Sequence, residues 1–208
     1  MFSIPSRILA ATVVFVVACG VTPRPEPAPS PNTDTDTVAG VATDRPVTPG
    51  AEGDGVAARG GEGIAPPRMV VADAQKLMLD VLGEVNASRA RVGARPLGID
   101  PGLLRAARRY SEELAARRLI SHVSLWPDRR TFRQRIAAEG ARARLAGENL
   151  ARLTSSPETL AKNLVDAWMR SPGHRRNLLD PAFSRTGIGV TLGDDGVWYV
   201  TQLYATPD

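Results

Sequence analysis

The stretch 168–179, WMRSPGHRRNLL, forces one helix to end and another to begin within a few residues. Ser171 is a good N-cap, so its hydroxyl is expected to accept a hydrogen bond from a backbone N–H two or three residues on. Pro172 suits the first helical position, where no N–H is needed. His174 then falls near the third helical position, beside the positive end of the helix dipole. That end disfavours imidazolium, so a neutral ring with a lone pair for a metal or a proton is expected. The chain has only two histidines, His122 and His174, and a site built on paired imidazoles must use both.

The surrounding chain reads as helices followed by a hairpin. Ala74, Leu77, Met78, Val81, Leu82 and Val85 share one face of a helix over about 72–91, ended by Gly93. Residues 95–100 read as extended. Asp100-Pro101 opens a second helix running to about 119, with Leu103, Ala107, Tyr110 and Leu114 inward and His122 soon after its end. Pro127-Asp128 predicts a short helix over about 129–139, closed by Gly140, with Phe132 and Ile136 inward. The segment 146–151 is tight and apolar-flanked with a single acid, Glu148, and is given no element. Ser156-Pro157 opens a fourth helix that buries Leu160, Leu164, Val165 and Trp168. Asp180-Pro181 turns the chain into two strands, about 185–192 and 197–205, joined by Gly193-Asp-Asp-Gly196. Helices flanking a small, mainly antiparallel sheet make an α+β layered domain.

The N-terminus reads as an address. Arg7 precedes an unbroken apolar or small run from Ile8 to Ala18. That run is too short to span a bilayer, which takes roughly 20 residues, but it suits a signal-peptide core. Val16-Val17-Ala18-Cys19-Gly20 resembles a bacterial lipobox, and Cys19 is the sole cysteine, which excludes an intrachain disulfide. Residues 1–18 are therefore expected to be a lipoprotein signal peptide, with Cys19 lipidated. Residues 19–68 are rich in Pro, Thr and Gly and have no aromatic side chain or periodic apolar face, so they are expected to be a disordered tether. The folded domain is 69–208.

Charge narrows the partners only a little. Residues 71–208 carry 21 basic and 15 acidic side chains, almost all of the basic ones arginine. A modest basic excess suits an anionic membrane or wall polymer. No basic run is interleaved with aromatics and no nucleic-acid motif is present, so no nucleic-acid partner is expected. A monomer is expected.

Taken together, the motifs resemble the CAP superfamily, which includes cysteine-rich secretory proteins, venom antigens and pathogenesis-related proteins. They are closest to its short bacterial extracellular branch. The resemblance covers about 75–205. It rests on Asn86, Arg89, Gly93, Pro96 and Leu97, on Asp100 and Leu103, and on a histidine after helix two. It continues with Gly147-Glu148-Asn149, with Trp168 through His174, and with Gly187 and Gly189 ahead of Trp198, Tyr199 and Gln202. It implies a three-layer α-β-α sandwich whose central cleft holds two histidines and two acids. His122, Glu148 and His174 match three of those positions. The fourth, a glutamate in eukaryotic members, is Ser171 here, which removes one charge.

Two imidazoles and one carboxylate form an acceptable ligand set for a zinc-like divalent cation with an open fourth position. His122, Glu148 and His174 are thus the expected metal residues, with Ser171, Asn149, Asn86 and Arg89 around the cleft. The alternatives are a structural network in which both histidines bond Glu148, and a metal-dependent hydrolase acting on peptide or envelope material. No catalytic residue is assigned. A nucleophilic Ser171 activated by His174 conflicts with its expected capping bond. For Asn86 and Arg89 the favoured reading is structural: Asn86 satisfying backbone groups and Arg89 pairing with an acid. The resemblance implies a lipid, sterol or wall-polymer ligand. The leading expectation is a binding module exported to the bacterial envelope on an N-terminal lipid. It would sit at the outer membrane of a Gram-negative source, facing periplasm or exterior.

Overall fold

The computed structural model describes residues 14–18, 22–23 and 71–208. Residues 1–24 and 66–208 form one compact unit; the second, 25–65, lies outside the described residues. Cys19, the start of the leader and all of the expected tether except 22–23 also lie outside them. The two N-terminal pieces are strands, β1 (Val14–Ala18) and β2 (Thr22–Pro23).

Helix α1 (Val71–Ala90) follows its apolar spacing, with Leu77, Met78, Val81 and Val85 all buried. After the short strand β3 (Gly98–Ile99), Asp100 caps α2 (Pro101–Ala116) by accepting a 2.9 Å bond from the Leu103 N–H. The helix stops short of the expected 119. Arg117 closes it, and Arg118 turns the chain away at φ +49°. The expected start of the next helix at 129 is also corrected. Pro127–Arg129 is a separate 3-10 turn, and α3 (Phe132–Ala138) begins only after Thr131 and Gln134 form a reciprocal capping box.

A strand that the sequence reading missed comes next, β4 (Leu145–Leu153). Almost all of its residues are buried on both faces, so it shows none of the apolar–polar alternation that marks a half-exposed strand. Helices α4 (Pro157–Arg170) and α5 (Pro172–Leu179) are followed by β5 (Arg185–Leu192) and β6 (Trp198–Thr206), the hairpin expected from 193–196. The sheet runs β4-β6-β5-β3, with β1 and β2 both paired to the outer edge of β4. Only the β3–β5 pair is parallel. No helix among the described residues is long and apolar enough to cross a membrane.

The layers are as expected for a three-layer sandwich. On one face α1 and α4 pack Val81, Val85, Leu160, Leu164 and Trp168 against Ile188, Val200 and Tyr204 of the sheet. On the other, α2 and α3 bring Leu103, Ala107, Phe132 and Ile136 against Ala146, Leu203 and Ala205. Helix α2 lies directly on β5. A Cβ on Gly187 would sit 2.1 Å from the Leu103 carbonyl carbon, and one on Gly189 would sit 2.3 Å from the Ala107 carbonyl oxygen. Ser111 Oγ completes the seam with a 3.0 Å bond to the Gly189 carbonyl. The two glycines in the Gly187-Ile188-Gly189 triplet are thus the positions where helix and strand backbones touch.

Candidate functional site

Strand alternation decides which way each polar residue of β4 faces. Glu148 shares its face with Ala146 and Leu150, under α2 and α3, while Asn149 shares the opposite face with Ala151 and Leu153, under α1, α4 and α5. The Glu148 side chain is fully buried. Its Oε2 accepts a 2.5 Å bond from Arg135 Nη2, and its Oε1 lies 2.8 Å from His122 Nδ1. Arg135 comes from α3 and has a 4% exposed side chain, with its guanidinium carbon 3.4 Å from the centre of the Tyr110 ring. Its Nη1 reaches the carbonyls of His122 at 3.4 Å and Arg130 at 3.0 Å. One arginine therefore neutralises Glu148 and also fastens both ends of the loop that carries His122. Burial pushes the Tyr110 phenol well above the usual tyrosine range, and its hydroxyl donates to the Ser121 carbonyl. Tyr110 is a neutral donor at any physiological pH.

The second histidine is organised from the opposite face. Ser171 is the N-cap residue of α5 by backbone position, but its side chain makes no capping bond. Its Oγ instead lies 2.8 Å from His174 Nδ1. The expectation that capping occupies this hydroxyl is thereby corrected: a histidine at the third helical position stands where the free N–H would have been met, and offers a nitrogen partner. The His174 ring is fully buried and stacks on Trp168 at 6.5 Å with a 9° interplanar angle. Asn149 Nδ2 donates to the His174 carbonyl at 3.1 Å and to Tyr204 Oη at 2.9 Å. Tyr204 in turn donates to Gln202 Oε1 at 2.7 Å, and burial holds its phenol well above the ordinary range. Asn177 Nδ2 bridges the Asn149 amide oxygen at 3.0 Å and the Glu148 carbonyl at 3.2 Å. This network ties α5 to β4 and β6.

The structure thus brings His122 to Glu148 and Ser171 to His174, on the two sides of β4, with Asn149 and Asn177 between them. The expected cleft neighbours Asn86 and Arg89 are elsewhere. Asn86 makes a two-way clamp on Leu97, accepting from its N–H at 2.8 Å and donating to its carbonyl at 3.2 Å. Arg89 is fully buried and donates to the carbonyls of Arg95, Leu178, Asp180 and Phe183 at 2.8–3.0 Å. It binds backbone oxygens, whereas the sequence reading gave it a carboxylate. Arg89 fixes the chain around the end of α5, and Asn86 fixes the segment leading into β3. Asn86→Ala is expected to cost about 2 kcal/mol by orphaning both backbone groups of Leu97, read as a lower urea midpoint with an unchanged slope.

The trio His122, Glu148 and His174 does not fit the expected zinc-like ion. Such an ion needs lone pairs converging on one point, yet both Glu148 oxygens are engaged, by Arg135 and by His122. Among the described residues no group of three or more His, Cys, Asp or Glu side chains is placed to hold a metal. The decisive partner, Arg135, was missed from sequence. Its signal was its position: it sits between Phe132 and Ile136 on the inward face of α3, and an arginine on an apolar face demands a buried counter-charge.

The family profile described as "Cysteine-rich secretory protein family" matches residues 82–204, the whole sandwich apart from its ends. The chain belongs to this family, the CAP family. It is 36% identical over 113 residues to the uncharacterized protein YkwD of Bacillus subtilis, a match covering 54% of this chain and 41% of YkwD. The chain therefore spans less than half the length of that relative. An extracellular SCP-domain protein of Bacillus anthracis superposes with a TM-score of 0.54 at 26% identity, covering 64% of this chain and 41% of that one. An outer surface protein of Borrelia burgdorferi gives 0.55 at 23% identity, covering 65% of this chain and 96% of that one. The second likeness is one of fold alone.

Proposed function

We propose that this CAP domain is an exported binding module, tethered to the cell envelope through Cys19, that takes a wall-polymer or lipid-like ligand beside His122. The observation that carries the reading is the state of Glu148. A carboxylate with no exposure, bonded to both an arginine and a histidine, serves to orient His122 and is withdrawn from proton transfer. His122 and Ser171 are the partly exposed members of the two pairs, and each is held by a buried partner. Each position offers a fixed hydrogen-bonding group, and the one at His122 is the one the ligand would meet. The extracellular protein of Bacillus anthracis among the structural relatives supports export, as does the apolar run ahead of Cys19.

One observation favours a second reading, hydrolysis by a serine nucleophile: the 2.8 Å contact between Ser171 Oγ and His174 Nδ1. Against it, the imidazole is fully buried against Trp168.

Co-sedimentation of the full-length protein with insoluble peptidoglycan sacculi, run beside hydrolysis of p-nitrophenyl acetate, separates the two. Binding predicts retention on sacculi that falls at least tenfold in His122→Gln, a change that keeps a donor for Glu148, with no turnover above buffer. Turnover that disappears in Ser171→Ala would replace the binding reading with an esterase. Absence of retention in the parent protein would remove the wall polymer as ligand.

A further inference from the structure

Four of the six large apolar side chains exposed among the described residues fall within eight positions: Leu119, Val123, Leu125 and Trp126, exposed by 45%, 48%, 67% and 62%. They occupy the loop between α2 and α3. An apolar loop in water would ordinarily fold its side chains inward, but this one is held open from below. Glu113 of α2 accepts from Ser124 Oγ at 2.6 Å and from the Leu125 N–H at 3.1 Å, while the Ser124 N–H donates to the Arg130 carbonyl at 2.9 Å. Ser124 is buried, and Arg135 binds the carbonyls at both flanks. The loop is closed on itself, with Leu125 and Trp126 at its outer end, and Pro127 stiffens the exit.

Charge surrounds this apolar tip unevenly. Residues 117–130 contain four arginines, 117, 118, 129 and 130, and one acid, Asp128. That excess of three in fourteen residues is half of the excess of 21 basic over 15 acidic side chains carried by the whole of 71–208. Arg118 and Arg130, which flank the tip along the sequence, are both exposed. Glu113 is turned inward onto Arg117 at 3.0 Å, and Asp128 lies 3.5 Å from Arg129. A tryptophan beside a leucine, rimmed by arginines whose stems can lie along an apolar surface, matches the interface of an anionic bilayer, where indole rings settle at headgroup depth.

We propose that the 119–126 loop is a membrane-docking surface, inserting Leu125 and Trp126 into an anionic lipid bilayer while Arg118 and Arg130 meet its headgroups. This surface adjoins His122, which lies in the same loop, but docking through Leu125 and Trp126 needs no ligand there. Docking there would orient the domain on the membrane, with His122, three residues before Leu125, close to the lipid plane.

Trp126 supplies its own reporter. The other two tryptophans, Trp168 and Trp198, are 0% and 4% exposed, so quenching of indole fluorescence by brominated acyl chains reads Trp126 alone. The experiment uses the full-length chain carrying Cys19→Ser, with vesicles of phosphatidylcholine alone or mixed about equally with phosphatidylglycerol. The proposal expects quenching at least fivefold greater in the phosphatidylglycerol vesicles. Val123→Ser with Leu125→Ser, which keeps the reporter, should abolish it. Arg118→Gln with Arg130→Gln should erase the preference for phosphatidylglycerol. Vesicle-bound protein with Trp126 unquenched would overturn the proposal, since binding would then run through another part of the chain. Quenching in both double variants equal to that of the parent would overturn it too, as would burial of Trp126 in a dimer seen by sedimentation without lipid.

Discussion

Arg135→Met is expected to lower the free energy of unfolding by about 3–5 kcal/mol, since it leaves a buried carboxylate without its counter-charge. The side chain lost is 4% exposed, and the Glu148 it serves is 0% exposed. Its removal also frees the carbonyls of His122 and Arg130. The expected readout is a fall in urea midpoint, together with stronger hydrogen exchange in the 121–130 loop than in α1. Methionine keeps contact with Tyr110 through its thioether, so lost packing contributes little. The double change Arg135→Met with Glu148→Gln removes both charges and should recover at least half of the loss, a coupling expected only of residues in direct contact. If the single variant costs under about 1 kcal/mol, or the second change recovers nothing, the pair is not what holds this side of the sheet.

Gly187→Ala is the companion case, with an expected cost of at least about 3 kcal/mol from overpacking. The added methyl would meet the Leu103 carbonyl carbon at 2.1 Å, and that atom belongs to helix backbone, so no side-chain rotation can relieve it. Either α2 lifts from β5 or the strand bends. Gly189→Ala meets Ala107 backbone at 2.3 Å and should behave alike. Gly83→Ala, where nothing lies within 4 Å, is the internal control and is expected to be neutral or slightly stabilising. Thermal unfolding of the three variants side by side checks the ranking. A Gly187→Ala protein as stable as Gly83→Ala would mean that α2 does not rest on the strand backbone.

The elements visible in sequence were those with local punctuation. Asp100 ahead of Pro101, Ser156 ahead of Pro157, and the glycines at 193 and 196 each mark a boundary through backbone chemistry that needs no tertiary partner, and these boundaries fell within a residue or so. β4 lacks such marks because both of its faces are buried, and period-two alternation exists only where one face meets water. Site residues followed the same division. The clamp of Asn86 on backbone was legible, because an amide on the inner face of a helix end has few other uses. The partners of Glu148 were not, because Arg135 and His122 reach it from separate segments that only the packed fold brings together. Ser171 shows a local rule diverted by a neighbour: a capping serine bonds backbone by default, but a histidine three residues on offers a competing nitrogen.

The outer border of β4 bears on the proposed cleavage ahead of Cys19. Val14–Ala18 pair antiparallel with β4 from Asn149 to Leu153, and these five residues end where the lipobox reading places the peptidase cut. Processing at that bond would strip a whole strand from the sheet and leave a row of amide and carbonyl groups facing outward. Such a rim invites any extended chain that comes near. The trimmed protein would be the stickier of the two forms, and crowding it on a membrane would favour rim-to-rim association that the uncut precursor resists.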